Sequence, residues 1–241
     1  MDPSKNIVNT GSWIGDNAIP WALMLDTLKP DNPGKVIAID PDQNFVKDMV
    51  DLANVNKVGN LCAKIGVLSS NNSRVAYIGT STEHIKVYTE KFATSGTPKK
   101  KARFAARSSW TNAITLDSLD LQQSVSLIHL DVEGHEGEIL EGARETIKSS
   151  RPIIITEGFD QWPEPTNTED QHVASIMNEL GYHHGNIIPE SCGVRIHARN
   201  RIWWPDDKTR IAAMAIVGND LNQKGDELIP WIAVDLPEQT E

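Results

Sequence analysis

The run Leu130-Asp131-Val132-Glu133-Gly134-His135-Glu136 places four ionisable side chains within six residues, directly after the apolar stretch Ser126 to Leu130. Acids and an imidazole emerging from a buried strand invite shifted pKa values and general acid or base work. A helix start accounts for Glu136 and Glu138, because the macrodipole favours negative charge in a first turn. It does not account for Asp131, which belongs to the strand end. His135 has a convenient pKa for a base near neutrality, with a surface histidine at a helix start as the ordinary alternative. Glu157 closes the next apolar run and would meet the same crevice. Asp131, Glu133 and Glu157 together could also supply oxygen ligands to magnesium, although the reading adopted assigns no metal.

A second constellation lies near the N-terminus, in Asn9-Thr10-Gly11-Ser12-Trp13-Ile14-Gly15. Glycine there lets the backbone approach a ligand and adopt dihedrals that a Cβ forbids. A phosphate-binding dinucleotide loop wants G-x-G-x-x-G, but Trp13 and Asp16 occupy its second and third glycine positions, which blocks close approach and sets a negative charge near a pyrophosphate. The Walker pattern is absent as well. An adenosine ligand without phosphates fits better, its amino-acid carboxylate reaching free backbone N–H groups of the loop. Asp40, after the apolar run Val36 to Ile39, stands where acids of open α/β sheets accept hydrogen bonds from ribose hydroxyls. The competing explanation is a helix N-cap, since Pro41 and a helical pattern follow.

The elements that must position these residues alternate. Strands are predicted at Asn6 to Asn9, Val36 to Ile39, Leu61 to Val67, Ser126 to Leu130 and Pro152 to Thr156. Helices between them carry Ile19, Trp21, Ala22, Leu25 and Leu28, with Pro20 in the first turn; then Phe45, Met49, Leu52 and Ala53; then Ile139, Leu140, Ala143 and Ile147. A further helix, Thr168 to Leu180, closes at Gly181. This order implies βαβ units and an open, doubly wound, mostly parallel sheet. Between about Arg74 and Thr111 the helical period fades, and Val75 to Ile78 with Ile85 to Tyr88 suggests a hairpin insertion. The domain is expected over 1–205, with 206–241 as an extension whose apolar segments Ile211 to Val217 and Leu228 to Val234 would pack on the domain or on a second subunit of a homo-oligomer.

Composition narrows the partners. The 241 residues carry a formal charge of −10, which repels nucleic acid and anionic membranes unless a local patch overrides it. Such a patch stands at Lys99, Lys100, Lys101, Arg103 and Arg107, and it reads either as a solvated loop or as a grip for a phosphate-bearing substrate. No apolar run is long enough for a membrane helix and no signal-peptide pattern opens the chain, so the expected compartment is the cytoplasm. Cys62 and Cys192 have no paired spacing and are expected to be reduced.

Taken together, Thr115-Leu116-Asp117-Ser118-Leu119, the Ser126 to Glu136 run, Leu140-Glu141-Gly142-Ala143 and Arg151-Pro152-Ile153-Ile154-Ile155-Thr156-Glu157 resemble the signature of FkbM-family methyltransferases. With the glycine loop and Asp40, the resemblance spans roughly Ile7 to Trp204. It implies a Rossmann-like class I fold, S-adenosylmethionine as cofactor, and methylation of a hydroxyl oxygen on a small molecule or sugar. It implies cofactor contacts from Asn9, Gly11, Ser12, Trp13, Gly15, Asp40, Ile65 and Asp131, with Asp131, Glu133 and His135 as catalytic candidates. Two departures stand out. Asn9 replaces the aspartate that usually ends the first strand, losing a charge opposite a cationic ligand, so Asn9→Asp is expected to tighten cofactor binding. The chain also begins almost at that strand, without the leading segment that often covers the cofactor. Rival expectations are a methyltransferase of nucleic acid or phosphosugars, and a decayed fold that only binds.

Overall fold

The computed structural model describes residues 2–79, 85–89, 108–158, 168–188, 190–191, 194–195, 200–206 and 233–234. The basic segment Lys99 to Arg107, Ile211 to Val217, 228–232 and Cys192 lie outside the described residues.

The strands are β1 (Asn6–Thr10), β2 (Val36–Asp40), β3 (Leu61–Ile65), β4 (Val67–Leu68), β5 (Arg74–Gly79), β6 (Ile85–Thr89), β7 (Ser109–Ile114), β8 (Val125–Leu130), β9 (Ile153–Glu157), β10 (His183–Ile188), β11 (Glu190–Ser191), β12 (Val194–Arg195), β13 (Asn200–Trp204) and β14 (Ala233–Val234). One sheet runs in the order β14-β10-β13-β9-β8-β1-β2-β3. Its five strands from β3 to β9 are mutually parallel, and β13 is inserted antiparallel between β9 and β10. The order reverses beside β1, with β2 on one side and β8 on the other. A crevice at the carboxyl ends of strands flanking such a reversal is where open α/β sheets bind ligands.

Burial on both faces explains the near-continuous apolar strands. One face packs Val8, Ile39, Ile128, Leu130 and Ile154 under Ile139, Leu140, Ile147, Val173 and Ile176; the other packs Ile7, Val36, Ala38, Leu127 and Ile155 under Ala18, Ala22, Leu25, Val46 and Met49. The helices supplying these residues are α1 (Ala18–Leu28), α2 (Gln43–Val55), α3 (Glu136–Glu141), α4 (Arg144–Ser150) and α5 (Thr168–Glu179). No helix of the described residues is long and apolar enough to cross a membrane.

Three sequence expectations change here. The helix expected to run from Ile139 to Ile147 is broken into α3 and α4. The Gly142 carbonyl accepts from Asp117 N–H at 2.9 Å instead of continuing the helical ladder, and a Cβ on Gly142 would lie 2.0 Å from the Ser69 carbonyl oxygen, so only glycine fits there. Asp117 stabilises the new start by accepting from the backbone N–H groups of Glu145 and Thr146 at 3.0 and 2.7 Å. In α2 the buried stripe is Val46, Met49 and Ala53, spaced by three and four residues, which turns Leu52 outward to 40% exposure. Finally, Val67 leaves the main sheet at Gly66 and pairs β4 with β7, in a small sheet of order β4-β7-β5-β6 that contains the expected hairpin β5–β6.

Candidate active site

A cavity of about 290 Å³ opens at the carboxyl ends of β1, β2 and β8. Its walls include Thr10, Gly11 and Trp13 after β1; Asp40, Pro41 and Phe45 after β2; Gly66, Val67 and Leu68 after β3; and Asp131, Val132, Glu133 and His135 after β8. Glu157 joins from the end of β9, Val87 from the inserted hairpin, and Asp16, Asn17 and Ile139 complete the lining.

The turn after β1 is tightly determined. Ser12 is fully buried; its hydroxyl donates to the Asn9 carbonyl at 2.8 Å and accepts from Ile39 N–H at 3.0 Å, riveting β1 to β2. Gly11 and Gly15 have φ of +71° and +88°. Their glycine character serves the protein itself: a Cβ on Gly11 would sit 1.7 Å from the Asp131 carbonyl oxygen, and one on Gly15 would sit 2.7 Å from the Met49 side chain. The N–H groups of Gly11, Ser12 and Gly15 are bonded to backbone carbonyls, and that of Trp13 to Asp40. Those four N–H groups are therefore already engaged within the protein. Trp13 itself has φ +44°, a left-handed conformation costing about 1 to 2 kcal/mol for a residue with a Cβ.

Asp40 is 3% exposed. One carboxylate oxygen accepts from Trp13 N–H at 3.0 Å and the other from Asp42 N–H at 2.9 Å. Asp42, not Asp40, caps α2, accepting from Asn44 N–H at 2.7 Å. The capping explanation for Asp40 is thereby replaced: the side chain spans two turns and lines the cavity. Burial pushes its pKa up to about 6, against the pull of the two backbone N–H groups.

Across the cavity, Asp131 is exposed and its backbone N–H reaches Thr10 O at 3.2 Å, holding β8 beside β1. The chain then reverses through Glu133 and Gly134, at φ +57° and +96°. His135 is buried rather than on the surface, with Nε2 at 3.2 Å from Ser69 Oγ, and burial holds its pKa down at about 4. It is neutral at physiological pH, without the near-neutral pKa expected of it. Glu136 is 2% exposed and accepts from Val132 N–H at 3.2 Å across the reversal. Burial raises its pKa to about 8, and the charges of Glu157 and Asp131 push in the same direction.

Other sequence candidates lie elsewhere. Asn9, 1% exposed, faces away from the cavity; its Oδ1 is 2.8 Å from His129 Nδ1 and its Nδ2 has no hydrogen-bond partner among the described residues. Ser12 and Gly15 shape the loop from behind. Ile65 points outward at 55% exposure, and Gly66 to Leu68 line the cavity in its place. Among the described residues no group of three His, Cys, Asp or Glu side chains is arranged to hold a metal ion, so the magnesium arrangement of Asp131, Glu133 and Glu157 is not assembled. Phe45 and Val87 line the cavity without standing out in the sequence: the helical spacing places Phe45 with the core residues of its helix, and Val87 carries no sequence signal for a place in the wall.

The family model of the methyltransferase FkbM domain matches residues 9–183. The chain belongs to the FkbM methyltransferase family. No curated protein matches the sequence significantly. The FkbM domain resembles the crystal structure of a methyltransferase FkbM from Methylobacillus flagellatus KT with a TM-score of 0.53 at 15% identity, over 85% of this chain and 44% of that one. Thus the present chain spans less than half the length of that relative. It also resembles Aeropyrum pernix fibrillarin, a structure with natively bound S-adenosyl-L-methionine, with a TM-score of 0.46 at 11% identity over 84% and 68% of the two chains. The fold is that of class I S-adenosylmethionine-dependent methyltransferases, and the FkbM domain places Asp40 and the Asp131 to Glu136 motif on opposite walls of its crevice.

Proposed function

We propose that this FkbM domain binds S-adenosylmethionine and methylates a hydroxyl oxygen of a small molecule or sugar. The observation that carries the proposal is Asp40, a buried carboxylate at the end of β2, held by two backbone N–H groups and open to the cavity. Each carboxylate oxygen keeps acceptor capacity for a ribose hydroxyl, and each such charge-assisted bond contributes roughly 1.5 to 3 kcal/mol. Pro41, Trp13, Phe45 and the Gly66 to Leu68 turn provide flat and apolar surface beside it for the rest of a nucleoside. The cavity residues therefore fit this cofactor, which when bound would supply a methyl group on a positively charged sulfur.

On the opposite wall, Asp131 and Glu133 would orient the acceptor hydroxyl and take up its proton, at a distance of about 2.6 to 3.2 Å or through one water. General base catalysis contributes about 10²- to 10⁴-fold, so alignment of the acceptor by the rigid strand ends carries the larger share. His135, neutral and anchored to Ser69, would pack the floor and serve at most as a weak base. Five carboxylates line the cavity, Asp16, Asp40, Asp131, Glu133 and Glu157, with no Lys or Arg among the described lining residues. That field attracts a cationic cofactor and repels a phosphorylated acceptor, which supports an uncharged hydroxyl substrate over nucleic acid or a phosphosugar. A cytoplasmic location remains part of this reading.

Titration calorimetry with S-adenosylmethionine and S-adenosylhomocysteine tests it. The wild type should bind both, more weakly below about pH 6 as Asp40 takes up its proton, and Asp40→Ala should weaken binding at least about tenfold with the circular dichroism spectrum intact. No heat from the wild type would leave a decayed fold as the better account.

A further inference from the structure

Asp131 and Glu133 stand on a segment that leaves β8 at Leu130 and reverses through two consecutive positive-φ residues, Glu133 at +57° and Gly134 at +96°. A left-handed residue with a Cβ persists where its surroundings over-determine it. Here the peptides on both sides of the Asp131 Cα are anchored. The one before it donates Asp131 N–H to Thr10 O at 3.2 Å. The one after it turns its carbonyl toward Gly11, where a Cβ would lie 1.7 Å from the oxygen, and gives its N–H, that of Val132, to Glu136 Oε1 at 3.2 Å. The last of these anchors is a side chain.

Glu136 opens α3, but the helix dipole does not explain where its carboxyl goes. An acid that serves the dipole can do so from water, and burying a carboxyl is costly, yet Glu136 is 2% exposed. Glu138, also in the first turn, keeps the ordinary role and accepts from the Ser70 hydroxyl at 2.7 Å. Asp131, Val132, Glu133 and His135 all line the cavity, whereas Glu136 stands directly behind them. Burial raises its pKa to about 8, so at neutral pH it holds the turn without adding charge to a cavity already lined by acids.

We propose that Glu136 is a positioning residue whose buried carboxyl, by holding the Val132 N–H, locks the reversal that presents Asp131 and Glu133 to the acceptor. This rests on the methyl-transfer reading above for what the two acids do, and adds the group that keeps them in place. Loss of the bond would leave a buried N–H without its acceptor and free the turn to reorient.

Two substitutions of similar volume test it: Glu136→Gln keeps an oxygen acceptor for Val132 N–H, and Glu136→Met has none. In amide hydrogen exchange without ligand, the Val132 amide should exchange at least about tenfold faster in the Met variant than in wild type, and within about threefold of wild type in the Gln variant. The Leu127 to Leu130 amides of β8 should be unchanged in both. The carboxyl ¹³C resonances of Asp131 and Glu133 should be single in wild type and the Gln variant, and broadened or doubled in the Met variant. Equal Val132 exchange in the Met variant and wild type overturns the proposal, as does a Gln variant that loses as much protection as the Met variant. If the Met variant does not fold, the other two proteins decide: a Val132 amide that exchanges like an exposed one in either overturns the lock, and slow exchange in both supports it. Calorimetry with S-adenosylhomocysteine keeps the two readings apart. A wild type that binds none sinks the cofactor reading and leaves the exchange result standing, whereas a folded Met variant whose affinity falls more than about tenfold has lost the whole site and overturns a role confined to the two acids.

Discussion

The two walls of the cavity handle charge in different ways. On the β1–β2 side, one carboxylate is pinned by two backbone N–H groups, and the strain lies in the backbone of Trp13. On the β8–β9 side, several titratable groups crowd together and burial drives them apart: Glu136 up to about 8, His135 down to about 4, both uncharged at neutral pH. Asp131 meanwhile stays exposed at the strand end. A wall that only has to hold a diol needs fixed acceptors in fixed places. A wall that has to move a proton needs neighbours with different affinities for it. Under the proposed function, binding would fall to one strand pair and proton handling to the other.

The sharpest way to break that division is to substitute the second wall and read binding and turnover separately. Asp131→Asn, Glu133→Gln and His135→Ala should each leave S-adenosylhomocysteine affinity nearly intact, while turnover of an accepted hydroxyl substrate falls by at least about a hundredfold in one or both of the acid variants. His135→Ala should fall least, since its imidazole is neutral and bonded to Ser69. Near-normal turnover in all three would remove the motif from the chemistry.

A smaller effect should appear in stability against pH. Glu136 takes up its proton more readily folded than unfolded, with a pKa of about 8 against 4.5. Its contribution is therefore fully present below about pH 4.5 and is lost as pH rises through about 8. Glu136→Gln, which cannot ionise, should melt several degrees above wild type near pH 9, with the gap closing toward pH 4.5. A gap that is the same at both ends would show that Glu136 ionises as freely folded as unfolded.

The smallest effect on binding is expected from Asn9, which sits between the walls but behind them. Asn9→Asp should change S-adenosylhomocysteine affinity by less than about threefold, because the side chain faces His129 and not the cavity. It should instead lower the melting temperature and raise the pKa of His129, now held near 4 by burial, as followed by NMR titration. Tighter cofactor binding would restore the sequence-based expectation and move Asn9 into the site.

Much of this architecture was legible in the chain itself. Short β-branched runs with helical periods between them implied the parallel sheet, and Asp40 and Asp131 stood out because each follows such a run directly. These signals are local: the residues that make them are neighbours in sequence. What tertiary structure decided depended on distant partners. Alternation along β1 requires Asn9 and Thr10 to face opposite ways, but only packing against β8 and α1 determines that Thr10 takes the cavity. His135 reads in the sequence as a base of near-neutral pKa or as a surface imidazole, but packing against Ser69, 66 residues earlier, buries it, and burial sets its pKa. The helix ends at Gly142, although its apolar spacing runs on unbroken, because Asp117, 25 residues earlier, bonds the Gly142 carbonyl and the N–H groups of Glu145 and Thr146. Spacing and residue type specify which elements form and which acids end them. Burial, and with it charge state and access to the cavity, is a property of the packed chain, since it depends on what the rest of the fold lays over each side chain.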